Sequence, residues 1–158
     1  PPTAVVNEQI GKLNEKLLEE ITNKRLRESR LLEVRKKEED ARNIYKELGC
    51  PERIKIDIQA SSLRQLASLC ANCSFYFGNE GGARHIAQAL EIPSFAIYSP
   101  SAYKSMWLPT NSVLARGISP DDILQPEQQA TLTYEERFAL ITPEKVYNQL
   151  TSTLRQLG

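Results

Sequence analysis

Polar and apolar positions divide the chain into two textures. Residues 12–48 contain neither glycine nor proline, and they hold half of the chain's 20 basic and 20 acidic residues taken together. Unpunctuated, charge-rich sequence of this kind reads as helix. Ile10, Leu13, Leu17 and Ile21 recur at helical spacing. The stripe fades between Thr22 and Arg30, then resumes less regularly with Leu31, Val34, Ala41, Ile44 and Leu48. The pattern predicts two helices or one interrupted helix, with Gly49 as the C-terminal stop. The sustained heptads of a coiled coil are absent, so the run reads as a solvated helix.

From Cys50 onward, short apolar runs alternate with helical ones. Residues 53–58 read as a strand. Ser62 and Gln65 form a capping-box pattern that opens a helix with Leu63, Leu66 and Cys70 on one face. Residues 74–77 are an aromatic strand. Residues 83–90 are a helix with Ile86, Ala87 and Leu90 inward, and residues 94–98 are the next strand. Ser119 and Thr133 each begin a helix-start pattern. Thr142-Pro143-Glu144 opens a last helix whose buried stripe is Val146, Leu150 and Leu154. Strands separated by helices predict an α/β fold with a parallel sheet flanked by helices.

Charge narrows the classes of partner. Formal net charge is +0, so no global field points to nucleic acid or to an anionic membrane. No apolar run approaches the roughly 20 residues of a membrane span. Three cysteines, Cys50, Cys70 and Cys73, do not make a secreted disulfide framework. Cys70 and Cys73 form a CxxC, but no second pair completes a zinc site, so no metal is expected.

The chemistry gathers in FYFGNEGGARHIAQALEIPSFAIYSP, residues 75–100. In a parallel sheet, ligands bind at the loops that follow the strands' carboxyl ends. Here such a loop contains Glu80, Gly81 and Gly82 and runs directly into a helix that starts with Arg84 and His85. The first N–H groups of a helix have no internal partner, and the helix dipole makes that end electropositive. Glycines let a ligand's oxygens approach the backbone, and Arg84 and His85 can add charge-assisted hydrogen bonds. The pattern suits a phosphate or pyrophosphate. Glu80 would repel such an anion, so its side chain must turn aside to sugar hydroxyls, to Arg84 or to a helix cap. Trp107 reads as a packing residue more readily than as a shield over the pocket.

These residues resemble the signature of family-9 glycosyltransferases, the lipopolysaccharide heptosyltransferases. That family shows a strand, Gly-Asn-Asp-Ser-Gly-x-x-His, Ala-x-Ala-Leu, a second strand and Gly-Pro-Thr. Gly78-Asn79-Glu80-Gly81-Gly82-Ala83-Arg84-His85 is similar to the first part, with Ala87, Ala89 and Leu90 following and Ser99-Pro100-Ser101 closing the pattern. The resemblance implies a Rossmann-like donor domain, the C-terminal half of a GT-B glycosyltransferase, over residues 38–158. Residues 1–37 precede it as a charged helical segment.

By the same resemblance, Gly81, Gly82 and His85 contact the diphosphate of a nucleotide sugar such as ADP-heptose, and Ser101 contacts its phosphate or ribose. Glu80 stands at the family's Asp. The donor is a substrate, and no cofactor is implied. The acceptor is a lipid-linked saccharide of lipopolysaccharide type, handled in a bacterial cytoplasm or at the cytoplasmic face of the inner membrane, with no transmembrane segment. The family's general base lies in an N-terminal domain for which this sequence has no counterpart, so the chain alone is expected to bind donor without transferring sugar. Two other readings stay open. One is a non-catalytic binding or assembly module with a degenerate donor fold. The other is a different GT-B sugar-nucleotide enzyme, such as an epimerase.

Overall fold

The computed structural model describes residues 2–49, 51–56, 58–109 and 112–158. Two compact units divide the chain, Pro1–Gln59 and Ala60–Gly158.

The first unit is built on one helix, α1 (Pro2–Glu47), which runs without a break through the region where the apolar stripe fades. Two helices or an interruption were expected there, and neither is found. Glu, Lys, Arg and Leu are strong helix formers and need no apolar face to keep the backbone ladder. Local bonds add support: Lys12 Nζ reaches Glu8 Oε1 at 2.7 Å one turn back, and the Thr22 hydroxyl donates to the Leu18 carbonyl at 2.8 Å. The boundary drawn from sequence at residues 37 and 38 falls inside this helix.

The strand expected at residues 53–58 does not form. Arg53 closes a short 3₁₀ turn (Pro51–Arg53), and residues 54–56 and 58 join no ladder. Alternating isoleucines suggest a strand, but a strand exists only by pairing with another. Instead, Ile56, Ile58 and Gln59 line a shallow groove with Val34, Lys37 and Ala41 of α1. Cys50 and Asp57 lie outside the described residues.

The second unit is mixed α/β. Its elements are α2 (Leu63–Ala71), β1 (Tyr76–Asn79), α3 (Gly82–Ala89), β2 (Ser94–Ile97), α4 (Lys104–Trp107), β3 (Ala115–Ile118), α5 (Pro126–Gln129), α6 (Tyr134–Ala139) and α7 (Pro143–Leu157). The three strands form a small parallel sheet in the order β1-β2-β3. β1 sits two residues later than expected, because its ladder opens where the Tyr76 amide donates to the Pro93 carbonyl at 2.8 Å. β3 was not foreseen. It is held in register on β2, with Ser94 opposite Ala115 and Ile97 opposite Ile118.

Side-chain alternation gives the sheet two different faces. Phe95 and Ile118 pack with Val146 of α7 in a buried cluster that Phe75, Ile97, Ile123, Ile141 and Leu150 extend. On the other face β2 presents Ser94 and Ala96, with Tyr98 just beyond the strand's end, all buried. The Tyr98 ring lies across β3 at Gly117. A Cβ there would stand 2.5 Å from the Ala96 carbonyl oxygen and 2.7 Å from Tyr98 Cε2, so only glycine fits.

The expected caps form. The Ser62 hydroxyl accepts from the Gln65 amide at 3.2 Å, and the Gln65 side chain reaches one residue past the cap to the Ser61 amide at 2.7 Å. Thr133 and Glu136 form a reciprocal capping box. Thr142 caps α7 with Pro143 in its first turn.

Candidate functional site

The turn at residues 80–82 stands at the carboxyl end of β1, and the Glu80 amide, donating to the Ile97 carbonyl at 2.9 Å, ties it to the end of β2. Tyr76 braces it from below. Its hydroxyl donates to the Asn79 carbonyl at 2.8 Å, and its ring lies so close to Gly78 that a Cβ there would meet the hydroxyl at 3.0 Å.

Gly81 takes φ 156° and ψ −169°, a region open essentially to glycine alone. This conformation turns the chain from strand into helix within one residue. Gly81 is the N-cap of α3, and among the described residues no side chain caps that end. Gly82 begins the helix, and a Cβ built on it would meet nothing within 4 Å. The start of α3 is therefore open to solvent, with its free N–H groups and positive dipole end uncovered.

The first turn of α3 holds a cation. Arg84 is fully buried. Its Nη1 donates to Gln88 Oε1 at 2.7 Å and its Nη2 to the Trp107 carbonyl at 3.0 Å, and Nη2 also lies over the His85 ring, 2.8 Å from Nδ1 and 3.4 Å from Nε2. Both acceptors, an amide and a backbone carbonyl, are neutral, and no carboxylate among the described residues lies within ion-pair distance of the guanidinium. Its Nε is buried without an acceptor among the described residues. A buried cation with no paired anion is costly to the fold, and the interior passes its field to the turn above with little screening.

Tyr98 is the second orphan. It is fully buried, and among the described residues its hydroxyl has no hydrogen-bond partner. Burial raises its ionisation above the ordinary tyrosine value of 10.0, Arg84 opposes that rise, and Glu80 and Tyr76 add to it. The ionisation of Tyr76 is also raised, chiefly by burial, with Arg84 opposing and Cys70 and Glu80 adding to the rise. Arg84 and Glu80 thus act electrostatically on both Tyr76 and Tyr98. Buried polar atoms without partners are rare and call for a reason.

His85 sits at the rim. Its Nε2 faces Glu80 Oε1 at 3.4 Å, and its ring meets Trp107 edge-on with centroids 5.4 Å apart. Glu80 therefore turns toward His85 rather than Arg84. Trp107 is half-exposed against the histidine, not packed in the core as its residue type suggested. Ser101 stands in the loop after β2, its hydroxyl 3.1 Å from that of Ser99. Among the sequence-derived site residues, Glu80, Arg84 and His85 are joined by direct contacts. Gly81 and Gly82 form the open turn beside them, and Ser101 occupies the loop of the adjacent strand. Tyr98, Gln88 and the Trp107 carbonyl complete the setting, and no short motif marks them.

A concavity of about 490 Å³ lies on the α7 face, lined by Phe77, Asn79, Ile97, Phe138, Tyr147 and Leu150 among others. Its walls are mostly apolar and carry no charged side chain. Cys70 and Cys73 are free thiols, and among the described residues no three His, Cys, Asp or Glu side chains gather as a metal site. No described helix is long and apolar enough to cross a membrane. No protein-family model matches the chain, and neither does any curated protein or solved structure.

Proposed function

We propose that residues 60–158 bind the diphosphate of a nucleotide sugar at the 80–85 turn, as the Rossmann-like donor domain of a glycosyltransferase akin to family 9. One observation carries this reading. An uncapped helix start, entered through Gly81 and Gly82 at the carboxyl end of a parallel strand, carries in its first turn a buried arginine that, among the described residues, no carboxylate pairs. Amides and dipole are aimed at an anion, and the buried charge is the kind that an anion would offset.

In the transfer, charge develops on the departing diphosphate. The α3 amides, the Arg84 field and a hydrogen bond from His85 would stabilise it there, and fixed donors in a partly dry site are worth most at that moment. By the resemblance, Ser101 in the loop after β2 would contact the phosphate or ribose of the same ligand. The acceptor hydroxyl still needs a base. The chain therefore holds donor, and an opposing domain supplies the acceptor and the base. ADP-heptose is the donor that the turn's resemblance suggests, and a lipopolysaccharide-type saccharide the acceptor, with the work done on the cytoplasmic side of the membrane.

Calorimetry and thermal denaturation against nucleoside diphosphates and nucleotide sugars test this. At 100 times its dissociation constant a bound donor should stabilise the fold by about 2.7 kcal/mol. Glucose or a nucleoside without phosphate should do nothing. Absence of stabilisation by every diphosphate would overturn the proposal.

A further inference from the structure

The stripe on α1 is exposed, and it is longer than its apolar residues alone suggest. Ile10, Leu13 and Leu17 at one end, and Leu31 and Val34 at the other, are each at least half exposed. Glu20, Lys24 and Arg27 fill the interval, and successive members of the whole series stand alternately three and four residues apart. That spacing keeps one line along one side of a helix. The charged members do share a side, since Glu20, Lys24 and Arg27 line one hollow on the α1 surface. Isolated apolar residues on a surface need no explanation, but a line that runs roughly 37 Å along a helix does.

Charge decides what can lie along this line. A second copy in parallel alignment would set Glu20, Lys24 and Arg27 each against itself. In antiparallel alignment Glu20 can stand opposite Lys24 of the second copy, and by symmetry Lys24 opposite Glu20. The same register sets Leu13 opposite Leu31 and Ile10 opposite Val34, and lays Leu17 along the methylene stem of Arg27. Sliding the helices by one heptad sets Lys24 against Arg27 in one direction. In the other it sets Leu13 against Lys24 and Ile10 against Arg27. One flanking pair in the favoured register is adverse, Lys16 with Arg30 of the second copy. Both are exposed, where such repulsion is weak and screened. The favoured overlap ends at Val34, where α1 begins to face the chain's own Ile56 and Ile58 across a shallow groove.

We infer that residues 10–34 of α1 are the interface of an antiparallel homodimer, whose direction and register are set by the two Glu20–Lys24 pairs. Apolar layers at each end of the seam supply the affinity. The charges between them lower it, as polar residues in a helical seam do, and in exchange they exclude the other alignments. The interface lies wholly on the first unit and is independent of the anion-binding reading above.

Analytical ultracentrifugation of the full chain over a range of concentrations tests this. The parent should show a reversible monomer–dimer equilibrium. Every side chain to be changed is exposed, so no substitution removes a core contact. Glu20→Lys and Lys24→Glu should each weaken the dimer roughly tenfold or more, because both symmetric pairs turn repulsive. The two changes in one chain should restore it. Leu13→Asp and Leu31→Lys should each weaken self-association, yet an equimolar mixture of these two variants should form a heterodimer. The new acid meets the new base only when the helices run in opposite directions. A parent that stays monomeric at every concentration would overturn the inference, and so would a dimer that Glu20→Lys leaves unchanged. Failure of the mixed variants to pair, beside a dimeric parent, would overturn the antiparallel register.

Discussion

Gly81 and Gly82 are adjacent, yet alanine should do opposite things to the fold at the two positions. At Gly81 the backbone holds φ 156° and ψ −169°, which an L side chain tolerates only with strain of about 1–3 kcal/mol. At Gly82 the backbone is helical, and a new Cβ meets nothing within 4 Å. Alanine there restricts the unfolded chain and should stabilise the protein by about 0.4–1 kcal/mol. In a domain of about 100 residues, 1 kcal/mol moves the melting temperature by about 4–8 °C, so the two variants should separate clearly in a thermal scan.

Ligand binding should follow a different order. The space that is free around Gly82 is the space a diphosphate oxygen needs to reach the helix amides. Gly82→Ala should therefore melt higher than the parent but bind a nucleoside diphosphate more weakly, and Gly82→Val more weakly still. Loss of one bond to a charged oxygen corresponds to about 1.5–3 kcal/mol, or more than tenfold in affinity. Calorimetry on the parent and the three variants, beside urea or thermal denaturation, reads both quantities. Parent-like affinity in Gly82→Val would refute the reasoning about the turn, and an undiminished melting point in Gly81→Ala would refute the backbone argument.

Tyr98→Phe should stabilise the protein by about 1 kcal/mol, because it removes a buried hydroxyl without a partner. Since the ionisation of Tyr98 is raised by burial, its contribution is fully present below the ordinary value of 10.0 and is lost as pH rises through the folded value. Alkaline denaturation of the parent should therefore begin earlier than that of the Phe variant. Gly117→Ala should destabilise by about 1–3 kcal/mol in urea denaturation, since its Cβ collides with the Ala96 carbonyl and the Tyr98 ring. The Glu136 carboxylate accepts from the Thr133 amide at 2.8 Å, and this bond holds its ionisation below the ordinary carboxylate value of 4.5. Its cap is present above that value and is lost as pH falls through the folded one. The difference in melting temperature between the parent and Glu136→Gln should accordingly shrink on acidification, and a constant difference would show that the carboxylate has no part in the cap.

Local signals made the centre of the second unit legible. Apolar runs punctuated by Gly78, Gly81 and Pro93 mark strand, turn, helix and strand, and the cap residues Ser62, Thr133 and Thr142 lie where their side chains accept helix amides. What stayed hidden depended on distant partners. β3 reads Ala-Arg-Gly-Ile, with a charge and a glycine in its middle, and it becomes a strand only because β2 supplies the ladder. The isoleucines at 54, 56 and 58 alternate convincingly but join no ladder. In the site, Arg84 read as a first-turn cation reaching outward. Its inward turn depends on a carbonyl 23 residues away, at Trp107, which no local pattern encodes. The place of Glu80 against His85, rather than Arg84, follows from that inward turn.

The edge-on pairing of His85 with Trp107 also makes the protein its own optical reporter. The chain has one tryptophan and one histidine, and the two rings stand 5.4 Å apart at the mouth of the turn. Indole emission is sensitive to a neighbouring imidazole and to the water around it. All of this protein's tryptophan fluorescence therefore originates beside the proposed ligand. A titration followed by that light alone, with no dye and no label, would register an event at the first turn of α3 without background from any other indole.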